Sequence, residues 1–341
     1  MEPRPGFGVA VDLGTTSVVM AQLDLTTGRT LARHSFLNPQ RRFGADVLSR
    51  IQAANNGAAE ELRKSIADGI WSGLAVLQES CGGAAEIVVA CNTVMAHLLL
   101  GVSCESLGAA PFKPTYTLKE SYAFGEVFST DHPGTVRIVP WFSAFVGGDI
   151  AAGLLHIGSK SPYLLIDLGT NGELARFDGG KLTVTAAAAG PAFEGSGKPG
   201  GASKVLDDLA SLLRRGLLDE TGRVADGAGY TQREIRDLQF AKSAVRSGFE
   251  ILTDGKNPGV VYLAGGMGQA MNPESAVAVG LLPPDLTVRA AGNASLGGAV
   301  RLLLAPMASG TALRSLFGNV TMRNLADHPD FEGLFIKHMS F

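Results

Sequence analysis

Two short stretches decide how this chain is read: Asp12-Leu13-Gly14-Thr15-Thr16, and its return about halfway along as Asp167-Leu168-Gly169-Thr170-Asn171. Each follows an apolar run that reads as a buried strand ending in an acid, Gly8-Val9-Ala10-Val11 in the first case and Tyr163-Leu164-Leu165-Ile166 in the second. Each then enters a hairpin. After the first loop come residues 17–24, a turn at Thr26-Thr27-Gly28 and a return strand over 29–36; after the second come 173–177, a turn at Asp178-Gly179-Gly180 and a strand over 181–185. In such a loop glycine lets the backbone approach an oxyanion, free N–H groups and threonine hydroxyls cradle phosphate, and the aspartate holds a hydrated Mg²⁺. A duplicated loop of this kind implies a two-lobed nucleotide clamp.

One Asp-x-Gly-Thr-Thr alone is weak, because these residues also populate ordinary strand-end turns. The repeated strand, loop and hairpin context gives the pair its weight. A third element, Val260-Val261-Tyr262-Leu263-Ala264-Gly265-Gly266-Met267-Gly268, is a strand ending in a glycine-rich turn. By itself it reads as a tight strand-to-helix connection; the functional alternative is a side-chain-free surface for a nucleoside. Phosphate loop, phosphate loop and glycine-rich strand end, in that order, resemble the acetate and sugar kinase, heat-shock chaperone and actin superfamily. The resemblance implies an α/β fold of two ribonuclease-H-like lobes, the actin-like ATPase fold, with the nucleotide cleft between them and ATP with Mg²⁺ as ligands. The lobes are expected over 1–158 and 159–341.

Composition fits a folded enzyme: 341 residues, 45% hydrophobic, 18% charged and 7% aromatic, with a net charge of −3. Acids and bases are interspersed and no basic stripe carries interleaved aromatics, so nucleic acid is not an expected partner. No apolar stretch reaches the ~20 residues a bilayer span needs, and the N-terminus lacks signal-peptide character. A cytoplasmic protein without membrane contact is expected. Cys81, Cys91 and Cys104 form no Cys-x-x-Cys pair or His/Cys cluster, so no zinc or iron–sulfur site is readable.

Between the loops, helices are expected over 45–55 and 58–78, the second with Leu62, Ile66, Ile70 and Leu74 on one face, ended by Gly82-Gly83. A helix over 93–100, a strand over 136–139 and a small-residue helix over 147–155 follow. The last could cross between lobes as a hinge, or simply pack tightly in a core. Further helices are expected over 204–215 and 232–252, the latter opened by a capping box of Thr231 and Glu234. A small-residue helix from Gly292, then one more helix and a strand after Pro306, complete the chain.

More specific runs resemble the ATPase domain of reductive activators of corrinoid proteins, over nearly the whole chain. They are Asn38-Pro39-Gln40 with residues 44–51, residues 166–173, Ala189-Gly190-Pro191-Ala192-Phe193-Glu194-Gly195, residues 231–239 with Ala241-Lys242, and His328-Pro329-Asp330-Phe331. The resemblance implies ATP hydrolysis coupled to reducing a partner corrinoid (cobalamin) protein of a methyltransferase system from Co(II) to Co(I). Corrinoid binding by the chain itself is not implied, since Asp131-His132-Pro133-Gly134 lacks the carrier signature. Three departures stand out. No iron–sulfur ligands are present, so no cluster is expected in this chain and a separate low-potential iron–sulfur protein is the expected electron donor. The segment 194–219 is short, with Ala202-Ser203-Lys204 where Gly-Ser-Gly is expected. Cys91-Asn92-Thr93-Val94-Met95 replaces the usual Gly-Asn-Thr-Thr-Met.

Asp12 and Asp167 are the expected Mg²⁺ and water-positioning acids. Gly14, Thr15, Thr16, Gly169, Thr170, Asn171 and Gly172 are assigned to phosphate, and Gly265, Gly266 and Gly268 to the nucleoside. Asp149 is either a helix N-cap or the group orienting the attacking water. Glu173 and Glu194 are either cleft-lining or solvated, and His97 and His156 read as packing or surface residues. The rival functions are a small-molecule kinase of the same superfamily and a nucleotide-switched assembly module; a homodimer is carried as the assembly.

Overall fold

The computed structural model describes residues 2, 4–81, 83–169, 171–194, 201–265 and 271–341. The chain forms two compact units, Met1–Ile157 with Ala294–Gly318, and Gly158–Asn293 with Asn319–Phe341. The first holds a sheet of β1 (Phe7–Leu13), β2 (Ser17–Asp24), β3 (Thr30–Leu37), β4 (Ala84–Cys91), β5 (Tyr122–Ala123) and β6 (Thr135–Ile138) in the order β3-β2-β1-β4-β6-β5. The second holds β7 (Tyr163–Leu168), β8 (Gly172–Phe177), β9 (Leu182–Ala187), β10 (Val260–Ala264), β11 (Thr287–Gly292) and β12 (Val320–Met322) in the order β11-β10-β7-β8-β9-β12.

The two sheets repeat one plan. In each, the strand carrying the loop aspartate pairs antiparallel with the next, which pairs antiparallel with the third. On its other side that first strand has two successive parallel neighbours, β4 and β6 or β10 and β11. This is the ribonuclease-H-like arrangement expected, and the sequence repeat is a repeat of topology. The registers differ by one residue. Leu13 pairs with Val18 whereas Leu168 pairs with Gly172, so the first connection is one residue longer than the second.

Each sheet buries an amphipathic helix. Helix Ala59–Cys81 presents Leu62, Ile66, Ile70 and Leu74 to the first core, each at most 2% exposed. At roughly 1.5–3 kcal/mol per fully buried aliphatic side chain, that stripe fixes which face turns inward. Gly57, with φ at +102°, breaks the chain between this helix and Val47–Ala53, where a left-handed turn is open to glycine. Helix Gln232–Thr253 starts at the expected capping box, in which Thr231 accepts from Glu234 N–H. It packs so closely on β8 that a Cβ at Gly172 would lie 2.7 Å from Val245 Cγ2.

Helices Gly148–Ile157, Ala294–Leu304 and Pro306–Gly318 all belong to the first unit. A single division near residue 158 therefore omits a return of the chain, and the 147–155 segment does not cross between units. The reason is glycine packing: a Cβ at Gly298 would lie 2.0 Å from Ala152 O, so the two small-residue helices meet backbone to backbone. Gly292 ends β11 rather than opening the later helix, and a further helix, Phe331–Lys337, follows β12. Among the described residues no helix is long and apolar enough to cross a membrane.

Candidate functional site

The loop after β1 is held by its carbonyls. Asn38 Nδ2 donates to Gly14 O at 2.8 Å, Arg50 Nη2 to Thr15 O at 2.6 Å, and Asn38 N–H to Thr16 O at 3.0 Å. Gly14 N–H closes the turn on Ser17 O at 3.0 Å, where a Cβ on residue 14 would come within 2.8 Å of that oxygen. The N–H groups of Thr15 and Thr16 find no acceptor among the described residues. A loop with three carbonyls bound to protein donors and successive free amides is an anion cradle.

Helix N-termini gather at the same place. Asn92 caps helix Thr93–Leu100, accepting from Met95 N–H at 2.9 Å, while its Nδ2 donates to Thr15 Oγ1 at 3.1 Å. Ser295, in the first turn of Ala294–Leu304, donates its hydroxyl to Asp12 Oδ1 at 2.8 Å. Asp149 lies in the first turn of Gly148–Ile157 and accepts from Ile150 N–H at 2.9 Å. Asp149 thus stands inside its helix rather than at the N-cap. The small pair before it is required by space: a Cβ at Gly147 would lie 2.4 Å from Asn92 Cα, and one at Gly148 2.2 Å from Val139 O. Partial positive charge at three helix starts is favourable to an anion.

The electrostatics tie these groups together. Burial raises the Asp149 carboxyl to about 6, with the neighbouring Asp12 charge adding to the rise and Ile150 N–H opposing it. Cys91, at the end of β4, is buried and free, and burial followed by the charges of Asp149 and Asp12 pushes its thiol well above the ordinary range. It is an inert packing thiol. Among the described residues no group of three or more His, Cys, Asp or Glu side chains is placed to hold a metal ion. A cation at Asp12 would rest on a carboxylate, water and ligand oxygens, the shell Mg²⁺ takes. The free amides and the glycine at 14 fit a phosphate with such a cation.

In the second unit Asp167 is the last residue but one of β7 and lies opposite the buried Glu173 on β8. Gly169 N–H bonds Asn171 O at 2.9 Å, the shorter turn that the register requires. Gly265 follows β10 with φ at +80°, and a Cβ there would fall 2.4 Å from Asp167 Oδ1 and 2.5 Å from Leu168 O. Only glycine brings the end of β10 this close to the loop aspartate. Thr170, Gly266, Gly268 and the side chain of Glu194 lie outside the described residues.

Asn38, Gln40 and Arg50 stand in the runs that carry the family resemblance and Ser295 in the late small-residue helix, but no local feature of the sequence gives any of them a role. The signal for Arg50 was an arginine within an otherwise half-apolar helix, Val47-Leu48-Ser49-Arg50-Ile51. His97 is a core residue whose Nδ1 lies 2.7 Å from Thr93 O, and burial lowers its pKa. His156 is half-buried and packs beside Gly297. The Gln239 and Lys242 run binds the last residues: Gln239 Nε2 donates to Met339 O at 2.8 Å, and Lys242 Nζ donates to Ser340 O.

Comparison with known proteins covers both units. Residues 7–161 match the family model of the RACo middle region, and residues 161–204 and 217–341 match that of the C-terminal domain of RACo, the ASKHA domain. The interruption at 205–216 falls in the stretch read as short from sequence. The corrinoid activation enzyme RamQ of Eubacterium limosum is 30% identical over 425 aligned residues, spanning 99% of this chain and 71% of its own. A solved reductive activator for corrinoid, iron-sulfur protein aligns with 100% of this chain and 67% of its own length, at 27% identity and a TM-score of 0.88.

Proposed function

The chain belongs to the family of RACo-type corrinoid activators and has their ASKHA, actin-like ATPase fold, and from that premise we propose that it hydrolyses ATP to support reduction of a partner corrinoid protein from Co(II) to Co(I). One electron enters the partner for each cobalt reduced, supplied by a separate low-potential iron–sulfur protein; ATP and water leave as ADP and phosphate. The physical need is plain, since this reduction is uphill for ordinary donors. Nucleotide-dependent states that bind the partner with different affinity bias it towards the form more easily reduced.

The observation that carries the reading is the loop at 14–16, with every carbonyl turned to protein donors and the Thr15 and Thr16 amides left for an anion. Mg²⁺, when bound, neutralises phosphate charge and polarises the transferred group. Asp12 is assigned to the hydrated cation, with its carboxylate oriented by Ser295. Thr15 and Thr16 hold phosphate oxygens through their amides. Asp149, raised to about 6, is largely ionised at neutral pH and near the ideal basicity for accepting a proton from the attacking water. In the second unit Asp167 is assigned a matching role, Gly169, Thr170, Asn171 and Gly172 phosphate contacts, and Gly265, Gly266 and Gly268 the nucleoside. The reaction is placed in the cytoplasm.

The test is ATP hydrolysis by the purified chain with and without Co(II) corrinoid protein, following Co(I) absorbance with a low-potential reductant present. Partner-stimulated hydrolysis with Co(I) formation supports the proposal. ATP binding with neither stimulation nor reduction sinks the activator role and points to a kinase acceptor or a nucleotide switch.

A further inference from the structure

Arg50 is fully buried, at 0% exposure, yet pairs with no carboxylate among the described residues. Its Nε donates to Gly44 O at 3.0 Å, Nη1 lies 3.4 Å from Gln40 Oε1 and 3.3 Å from Met95 Sδ, and Nη2 donates to Thr15 O at 2.6 Å. All four acceptors are neutral. The nearest acid in its helix, Asp46, is taken up at the N-cap, where Oδ1 accepts from Ser49 N–H at 2.8 Å. Burial lowers the Arg50 pKa to about 10, with Asp46 opposing and Arg41 assisting, so the guanidinium keeps its charge at neutral pH. A buried cation without a bonded counter-ion is costly and is retained only where something offsets it.

A polyphosphate on the other side of the same loop would be that offset. We propose that Arg50 is a positioning residue for the nucleotide phosphates: its fork fixes the Thr15 carbonyl inward, so that the Thr16 amide in the same peptide plane faces outward, as Asn38 on the Gly14 carbonyl does for the Thr15 amide, and its charge adds to the anion-attracting field of the loop. The inference rests on reading residues 14–16 as a phosphate loop. Lysine cannot reproduce it, because one ammonium does not hold Gly44 O, Gln40 Oε1 and Thr15 O in a planar fork.

The experiment compares the affinities of Mg-ATP, Mg-ADP and adenosine for the chain and for Arg50→Lys, each corrected to the folded fraction. Arg50→Lys is expected to weaken ATP and ADP by about tenfold or more while leaving adenosine within about twofold. A merely structural role lowers the melting temperature and leaves affinity per folded molecule unchanged, and that result, or an equal loss for adenosine, overturns the proposal while the phosphate-loop reading stands. No ATP binding by the unaltered chain removes both. For the case in which Arg50→Lys does not fold, the Arg50 Nε–H resonance of the unaltered chain is followed instead. It is expected to shift with ATP and ADP but not with adenosine, and an unmoved resonance with ATP bound overturns the assignment.

Discussion

Ser295 Oγ donates to Asp12 Oδ1 at 2.8 Å across 283 residues of sequence, joining the first turn of a late helix to the end of the first strand. The bond orients the carboxylate assigned to the cation. Ser295→Ala is expected to lower ATP turnover per folded enzyme by about tenfold and to cost up to about 1.5–3 kcal/mol of stability, the worth of one hydrogen bond to a charged group. Steady-state kinetics with varied Mg²⁺ check it, and undiminished turnover removes Ser295 from the site.

Asp149 carries a pH signature. Its carboxyl is raised to about 6 from 3.8 when folded, so folding favours the protonated form. That stabilisation is complete below the unfolded value and is lost as pH rises through about 6. Asp149→Asn keeps the acceptor for Ile150 N–H and removes the charge. It is expected to gain on the order of 2 kcal/mol at pH 8 and nothing below pH 4, while losing ATPase activity. Denaturant melts at the two pH values decide.

The backbone contact of the two small-residue helices is tested by Gly298→Ala, whose methyl would fall 2.0 Å from Ala152 O. Overpacking of this kind costs about 1–3 kcal/mol or more. Because the same helix carries Ser295, Mg-ATP affinity is expected to fall together with stability. A variant as stable as the parent chain contradicts the close packing.

Lys242 is 2% exposed, and burial, then the charge of Arg246, lowers its pKa to about 8. A lysine held below its unfolded value opposes folding while protonated, so its contribution improves as pH rises from about 8 towards 10.5. Lys242→Met is expected to abolish that rise. The variant also loses the bond to Ser340 O and the ring contact with Phe341, 5.1 Å away, so protease sensitivity of the last residues should increase. Melting temperature against pH for the two chains is the measurement.

Local chemistry made much of the fold legible. The repeated aspartate-glycine loop forecast two sheets of one plan, the stripe of Leu62, Ile66, Ile70 and Leu74 forecast a buried helix face, and Thr231 with Glu234 forecast a helix start. These signals lie within a few residues of what they determine. The one-residue difference between the two loop turns was not legible, because Ser17 and Gly172 occupy matching places in sequence and register depends on pairing across strands.

The sequence by itself determined the duplication, the alternation of strands and helices, and the glycines that a tight approach demands. Only the tertiary structure decided that residues 294–318 return to the first unit, that Ser295 serves Asp12, and that a buried Arg50 holds the carbonyl of Thr15. The reason is one of range. Periodicity and capping are set by neighbours three or four positions away, whereas which buried donor meets which carbonyl is fixed by close packing of segments far apart in the chain.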